Sequence, residues 1–226
     1  MPKYELDGIF NPEKTPPDDA HSILMRLVPP NSRVLELGCA TGYLSGYMTQ
    51  GLGCRVIALE YDAESVAIAN TRCEAAVQAD LDNDDALDAV RDYDLFDVIL
   101  AAAVLEHLKY PERLLQSAKE LLTPGGRMIV SLPNVAHWQV RLRLLMGQFD
   151  YEDYGIMDRT HLHFYTVKTG RVLLEDNGYQ VEAFHIAGSG LQNMLNQRAR
   201  QSGRPVPSAI LPGLLGYELI YVGHPQ

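Results

Sequence analysis

Cysteine is scarce. Cys39, Cys54 and Cys73 are the only three, odd in number and without C-x-x-C spacing. That argues against a disulfide framework or a structural zinc site and points to a reducing compartment. Long apolar runs are also missing. The longest, Val98 to Leu105, is far too short to cross a bilayer, so no stable membrane insertion is expected. Positive charge is in deficit, with 19 Lys and Arg against 29 Asp and Glu for a net charge of −10, which excludes a general nucleic-acid binder. Arg141, Arg143, Arg198 and Arg200 are the candidates for a local basic patch. The polar, Pro-bearing stretch up to Asp19 has no apolar core of the signal-peptide kind, and the chain is expected to be soluble and cytoplasmic.

What is present is an ordinary globular composition, 46% hydrophobic and 21% charged over 226 residues, enough for one α/β domain. Short apolar runs alternate with helical stretches, the signature of a parallel sheet. Strands are expected at 34–37, 55–60, 76–78, 96–101 and 127–132, and helices at 41–51, 63–75 and 111–122, the last stopped by Thr123-Pro124-Gly125-Gly126. Beyond Pro133 the rhythm changes. An amphipathic helix (HWQVRLRLLM) and an acidic, aromatic stretch (FDYEDYG) precede a helix at 166–177 and two late strands at 179–187 and 217–223. Late strands joined this way suit an antiparallel edge.

The strongest chemical signal is Val34-Leu35-Glu36-Leu37-Gly38-Cys39-Ala40-Thr41-Gly42, an apolar strand entering a glycine-bearing turn and then a helix. Such a turn brings backbone close to a ligand, and the helix N-terminus favours an anionic group. A dinucleotide site would show G-x-G-x-x-G. Here the pattern is E-x-G-x-x-x-G, and a carboxylate at the strand end would repel a pyrophosphate but favour an ammonium and a sulfonium. Glu60 ends the second strand, with Tyr61 beside it, and can accept from two ribose hydroxyls. Asp80 and Leu81 follow the third strand, where an acceptor and an apolar side chain suit an adenine. Three such groups at the ends of successive strands point to one ligand along that edge. The plainer alternative is a turn glycine, a surface Glu and a capping Asp.

The segments VLELGCATG, VIALEYD, QADL, FDVILAAAVLEHL and LLTPGGRMIVSLPN resemble the ordered motifs of class I S-adenosylmethionine-dependent methyltransferases, nearest the ubiquinone-type and methionine-biosynthesis-like branch, over roughly residues 20–187. PNVAHWQVRLRLLMGQFDYEDYGIMDRTHLHFYT resembles a recurrent segment of bacterial methyltransferases. The resemblance implies a Rossmann-like α/β fold. Its seven-stranded, mostly parallel sheet has the order 3-2-1-4-5-7-6, with strand 7 antiparallel and helices on both faces. It implies one domain over 1–226, in which 134–165 is an acceptor-site or lid segment and 188–216 a variable connection between the last two strands. S-adenosyl-L-methionine is then the cofactor and S-adenosyl-L-homocysteine the product. Glu36, Gly38, Ala40, Gly42, Glu60, Tyr61, Asp80, Leu81 and Ala101 are the cofactor-binding positions. Two departures matter: Ala40 stands where a second turn glycine is usual, and Ala103 stands where ubiquinone-type enzymes carry an acid three residues before Glu106-His107. No metal site is therefore expected.

His107 and His161 are the candidate catalytic residues, able to deprotonate an acceptor hydroxyl; packing histidines are the plainer reading. His161 and His163 alternate, with no further ligands obvious around them. His137, Tyr154 and Asp158 are candidate acceptor contacts, and Asp150 to Tyr154 suits a pocket rim or a solvated loop. The expected activity is methyl transfer to an O or N atom of a small-molecule acceptor, with a homodimer the assembly considered. The competing readings are an accessory, non-catalytic relative acting through a partner enzyme, and a nucleotide-dependent oxidoreductase.

Overall fold

The computed structural model describes residues 8–188, Arg198 and 211–226. Its strands follow the apolar runs. β1 (Arg33–Leu37), β2 (Arg55–Glu60), β4 (Phe96–Ala102) and β5 (Leu122–Pro133) are buried along most of their length, while β3 (Ala75–Gln78) is only partly covered. β6 (Tyr179–Ala187) and β7 (Glu218–Pro225) complete a seven-stranded sheet in the order β3-β2-β1-β4-β5-β7-β6. The first five strands in that order pair in parallel, and β7 runs antiparallel to both β5 and β6. This is the expected sheet, strand for strand.

Alternation along the strands divides the core between the two faces. Leu35, Leu37, Ile99, Val130 and Leu219 pack with Leu115 of α4 (Pro111–Ala118) and Leu174 of α6 (Val167–Asp176). Val34, Val98, Leu100, Ile129 and Ile220 pack with Leu24 of α1 (Ala20–Leu27) and Met48 of α2 (Tyr43–Gln50). α1 was not anticipated. Asp19 caps it by accepting from the His21 amide, and five of its residues are buried. Among the described residues no helix is long and apolar enough to cross a membrane.

Two element boundaries differ from expectation. α3 (Ala63–Ala69) stops well before Ala75, because β3 starts there and needs the intervening residues to turn back. The helix at 111 gives way to one 3-10 turn at Lys119–Leu121 and then to β5, so Thr123–Gly126 lies inside a strand. There it forms a bulge, with Phe96 opposite Leu122 but Val98 opposite Arg127. Most of the 188–216 connection, and Arg200 with it, falls outside the described residues.

After β5 the chain builds a small layer of its own. Val140 of α5 (Trp138–Leu145) packs with Ile156 and Met157, and against Phe164 and Tyr217. Asn134 anchors this layer, donating to the carbonyls of Gly216 (2.7 Å) and Gly213 (3.2 Å). Its outer surface stays apolar, with Leu142, Leu145, Met146 and Phe149 exposed.

Gly42 opens α2 at φ +78°, and a Cβ there would sit 3.0 Å from Ala69 Cα. Gly42→Ala is expected to destabilise the fold by about 1–2 kcal/mol through left-handed strain, plus whatever α3 must yield. Thermal denaturation of the variant checks it; an unchanged midpoint would mean the turn relaxes freely.

Candidate active site

One cavity of about 840 Å³ opens along the C-terminal edge of the parallel strands, where open α/β sheets bind ligands and within the usual size of a ligand pocket. The sheet order sets out its wall. Asp80 and Leu81 follow β3, Glu60 and Tyr61 end β2, and Glu36, Gly38 and Ala40 belong to the β1 turn. Ala102 to His107 follow β4, Pro133 ends β5, and Glu218 begins β7. Because β7 is antiparallel, its N-terminal end reaches the edge that the other strands reach with their C-terminal ends.

Glu36 is 2% exposed and takes its hydrogen bond from the Ser45 hydroxyl of α2. Burial raises its pKa to about 7, with Ser45 pulling it down and the Glu60 charge pushing it up. Gly38, at φ +69°, lies against Val104, where a Cβ would meet Val104 Cγ2 at 2.6 Å. Ala40 adopts φ +47° despite its methyl group. Its amide donates to Glu60 Oε2 (2.9 Å), while Glu60 Oε1 accepts from Tyr61 (2.9 Å) and Asp62 (3.0 Å). Glu60 thus ties the first turn to the second, a duty the sequence did not disclose.

The other half of the cavity holds the histidines. His107 Nδ1 faces Thr160 Oγ1 (3.0 Å) and the Thr160 carbonyl (3.3 Å), and Thr160 Oγ1 donates to Asp158 Oδ1 (2.7 Å). The hydroxyl has one proton, given to Asp158, so His107 Nδ1–H is the donor and a neutral His107 carries its lone pair on Nε2. His161 Nδ1 likewise meets the Ile156 carbonyl at 3.0 Å, which leaves the lone pair of its neutral ring on Nε2. The two rings lie 4.7 Å apart, edge to face.

Beside them is Glu106, fully buried, with neither carboxylate oxygen hydrogen-bonded. Burial pushes its pKa well up, Glu218 and Asp158 add to the push, and its own backbone amide offsets part of it. Glu106, His107 and His161 each place one ligand-type atom within 4.8 Å of the others. His161 was expected to have no further ligands nearby, and the structure corrects that. His163 turns away, to the Lys109 carbonyl at 3.3 Å.

Of the sequence-derived positions, Glu36, Gly38, Ala40, Glu60, Tyr61, Asp80, Leu81, His107, Asp158 and His161 line this cavity. Gly42, Ala101, His137 and Tyr154 lie outside its lining. Gly42 packs on α3, and Ala101 is core. His137 is buried beside Trp138 and Tyr217, and Tyr154 is 62% exposed. The acidic stretch also lies outside the lining, with Glu152 paired to Arg143 and Asp153 to Arg159 (2.6 Å). Glu106, Glu218, His21 and Tyr43 line the cavity and were missed. A signal for Glu106 existed, since a carboxylate inside the apolar run Val104-Leu105-Glu106 needs a reason.

Because folding raises the Glu36 pKa from 4.5 to about 7, Glu36 favours the fold most below pH 4.5, and that advantage is lost as pH rises through 7. Glu36→Gln removes the ionisation. At pH 8, without ligand, it is expected to be the more stable protein, by on the order of 1–3 kcal/mol. Parallel pH profiles for wild type and variant in denaturant titrations would contradict this.

A family model described as a methyltransferase domain matches residues 15–183. A ubiquinone biosynthesis O-methyltransferase of Xanthomonas axonopodis pv. citri is 34% identical over 111 residues, which cover 48% of this chain and 46% of the relative. The enzyme so named in Cereibacter sphaeroides is also 34% identical, over 45% of this chain and 41% of its own. The matched stretch therefore spans about half the length of these curated relatives. Among solved structures, a SAM-dependent methyltransferase from Archaeoglobus fulgidus superposes with a TM-score of 0.63 at 16% identity, covering 90% of this chain and 91% of that one. A possible histamine N-methyltransferase from Thermotoga maritima gives 0.59 at 17%, with coverage of 91% and 87%. Cavity, turn geometry and family match converge: the chain belongs to the methyltransferase-domain family, as a class I member whose cofactor is S-adenosylmethionine.

Proposed function

We propose that this enzyme transfers the methyl group to a hydroxyl oxygen of a small molecule. The observation that carries this reading is the pair of imidazoles, His107 and His161, held at Nδ1 by Thr160 and the Ile156 carbonyl in a cavity also lined by Glu106, Glu218 and Asp158. When bound, S-adenosylmethionine supplies an electrophilic methyl on a sulfonium. The residues suit it: Glu36 offers a buried carboxylate to its ammonium, Gly38 and Ala40 present the first turn to it, and Glu60, Asp80 and Leu81 extend the wall for ribose and adenine.

Charge favours oxygen over nitrogen. An amine arrives as a cation and must shed a proton before its nitrogen has a lone pair for attack. A hydroxyl enters neutral, and the lone pairs of His107 and His161 act on its proton. The O-methyltransferases among the relatives agree with this choice. The acceptor lies beyond β4, where the wall passes to Pro133, Tyr217 and Glu218.

The test is transfer of isotope-labelled methyl to matched phenols, catechols, sugar alcohols and amines, with the product located by mass spectrometry. Methylation of hydroxyl compounds supports the proposal; methylation confined to amines overturns it. A second expectation follows from Glu36. Its carboxylate must be ionised to hold an ammonium, so affinity for S-adenosylhomocysteine should fall by about tenfold per pH unit below pH 7. Calorimetric titration at several pH values reads this directly, and Glu36→Gln should bind weakly with no such slope. A wild-type affinity flat between pH 6 and 8 would detach Glu36 from the cofactor.

A further inference from the structure

We infer that Glu106, His107 and His161 form a binding site for one divalent transition-metal ion, in the acceptor half of the cavity. Three independent features lead there. The first is Glu106: its side chain is fully buried and both oxygens lack hydrogen-bond partners. A carboxyl group buried without a partner is costly to keep, and a cation is one of the few partners that offset the cost. The second is the tautomer of each ring. Imidazole ligands of metals typically donate their distal N–H to a carbonyl or carboxylate, which orients the ring and fixes the lone pair on the ligating nitrogen. His161 does so to the Ile156 carbonyl, and His107 to Thr160, whose hydroxyl is in turn held by Asp158. The third is distance. His161 Nε2 lies 4.0 Å from Glu106 Oε1, and the three ligand atoms fall within 4.8 Å of one another. An ion at about 2.0–2.2 Å from each would draw them somewhat closer.

The donor set names the class of ion. Two imidazoles and one carboxylate suit Zn²⁺, Co²⁺, Mn²⁺ or Fe²⁺, whereas Mg²⁺ and Ca²⁺ prefer an all-oxygen shell. Three ligands leave positions open to the cavity. Under the proposed hydroxyl transfer, on which only this role rests, an acceptor oxygen would take one of them, the ion would lower its pKa, and the proton would leave to solvent along the open edge of the cavity. With the ion bound, His107 and His161 act on that hydroxyl through the metal, and without it they face the hydroxyl directly. The third ligand comes from the segment after the acidic loop, and the residue three before Glu106 is Ala103. Inspection of the neighbouring sequence alone therefore discounts the site.

The test uses the whole chain, stripped with chelator and titrated with Co²⁺, whose visible absorption reports its ligands, followed by competition with Zn²⁺ and Mg²⁺. One equivalent of Co²⁺ should bind and be displaced by Zn²⁺ but not by comparable Mg²⁺. Glu106→Gln and His161→Ala should each weaken binding at least tenfold, and Thr160→Val, which removes the hydroxyl that links His107 to Asp158, by roughly tenfold. Should Glu106→Gln fail to fold, the other two variants decide. Wild-type Co²⁺ affinity no better than that of His161→Ala, or displacement by Mg²⁺ as readily as by Zn²⁺, overturns the inference. S-adenosylhomocysteine titrated into the same samples separates the outcomes. Lost metal with retained ligand binding condemns the ion site alone, and lost ligand binding in the wild type condemns the methyl-transfer reading.

Discussion

Burying negative charge without a cationic side chain beside it is the constraint on which the site turns. Glu36 and Glu106 are both nearly or wholly inaccessible, and among the described residues neither is paired with a Lys or Arg; His161 lies 4.0 Å from Glu106. Desolvating a carboxylate costs several kcal/mol, so the protein keeps these acids at a standing disadvantage that a bound cation would relieve. The arginines of the described residues are employed elsewhere, in exposed pairs such as Arg55–Glu74 and Arg91–Asp88. The cavity is in this sense a half-built electrostatic structure, and a ligand bearing positive charge completes it.

Around that constraint the scaffold is economical. The sheet order sets the wall in sequence, from Asp80 through Glu60 and Glu36 to Glu106 and Glu218. Glu60 uses both carboxylate oxygens on backbone amides, which holds Ala40 in its left-handed conformation and keeps the first turn in shape. The layer after β5 is joined to the β4 side by the Glu106 carbonyl, which accepts from Leu162 (2.8 Å) and His163 (3.2 Å). One residue therefore faces the cavity with its side chain and clamps the covering layer with its backbone.

Much of this was legible in the sequence. Apolar runs with an acid or glycine at their ends located the strands and half of the cavity, because strand ends in a parallel sheet converge on one edge. What stayed hidden depends on residues distant in sequence. Glu106 and His161 meet only because the segment after α5 folds back over β4, and no local spacing announces that. Glu218 enters because β7 is inserted antiparallel between β5 and β6, which brings its first residue to the edge. Thr123–Gly126 carried every mark of a helix stop and became a bulge, since the same residues that end helices also interrupt a ladder. Gly42 and Ala101 sit in the right motifs but lie outside the cavity lining, against α3 and in the core.

The insertion of β7 has a consequence for how the molecule is made. Among the described residues β6 has no neighbour in the sheet other than β7, and β5 has no other neighbour on that side. During synthesis both strands must wait, each with an unpaired edge, until the last strand of the sheet emerges and slots between them. Such non-local pairing is slow, and bare edges invite association with other chains. The same strand carries Glu218 into the cavity, so the nascent chain completes its cavity wall and pairs the facing edges of β5 and β6 in one late event.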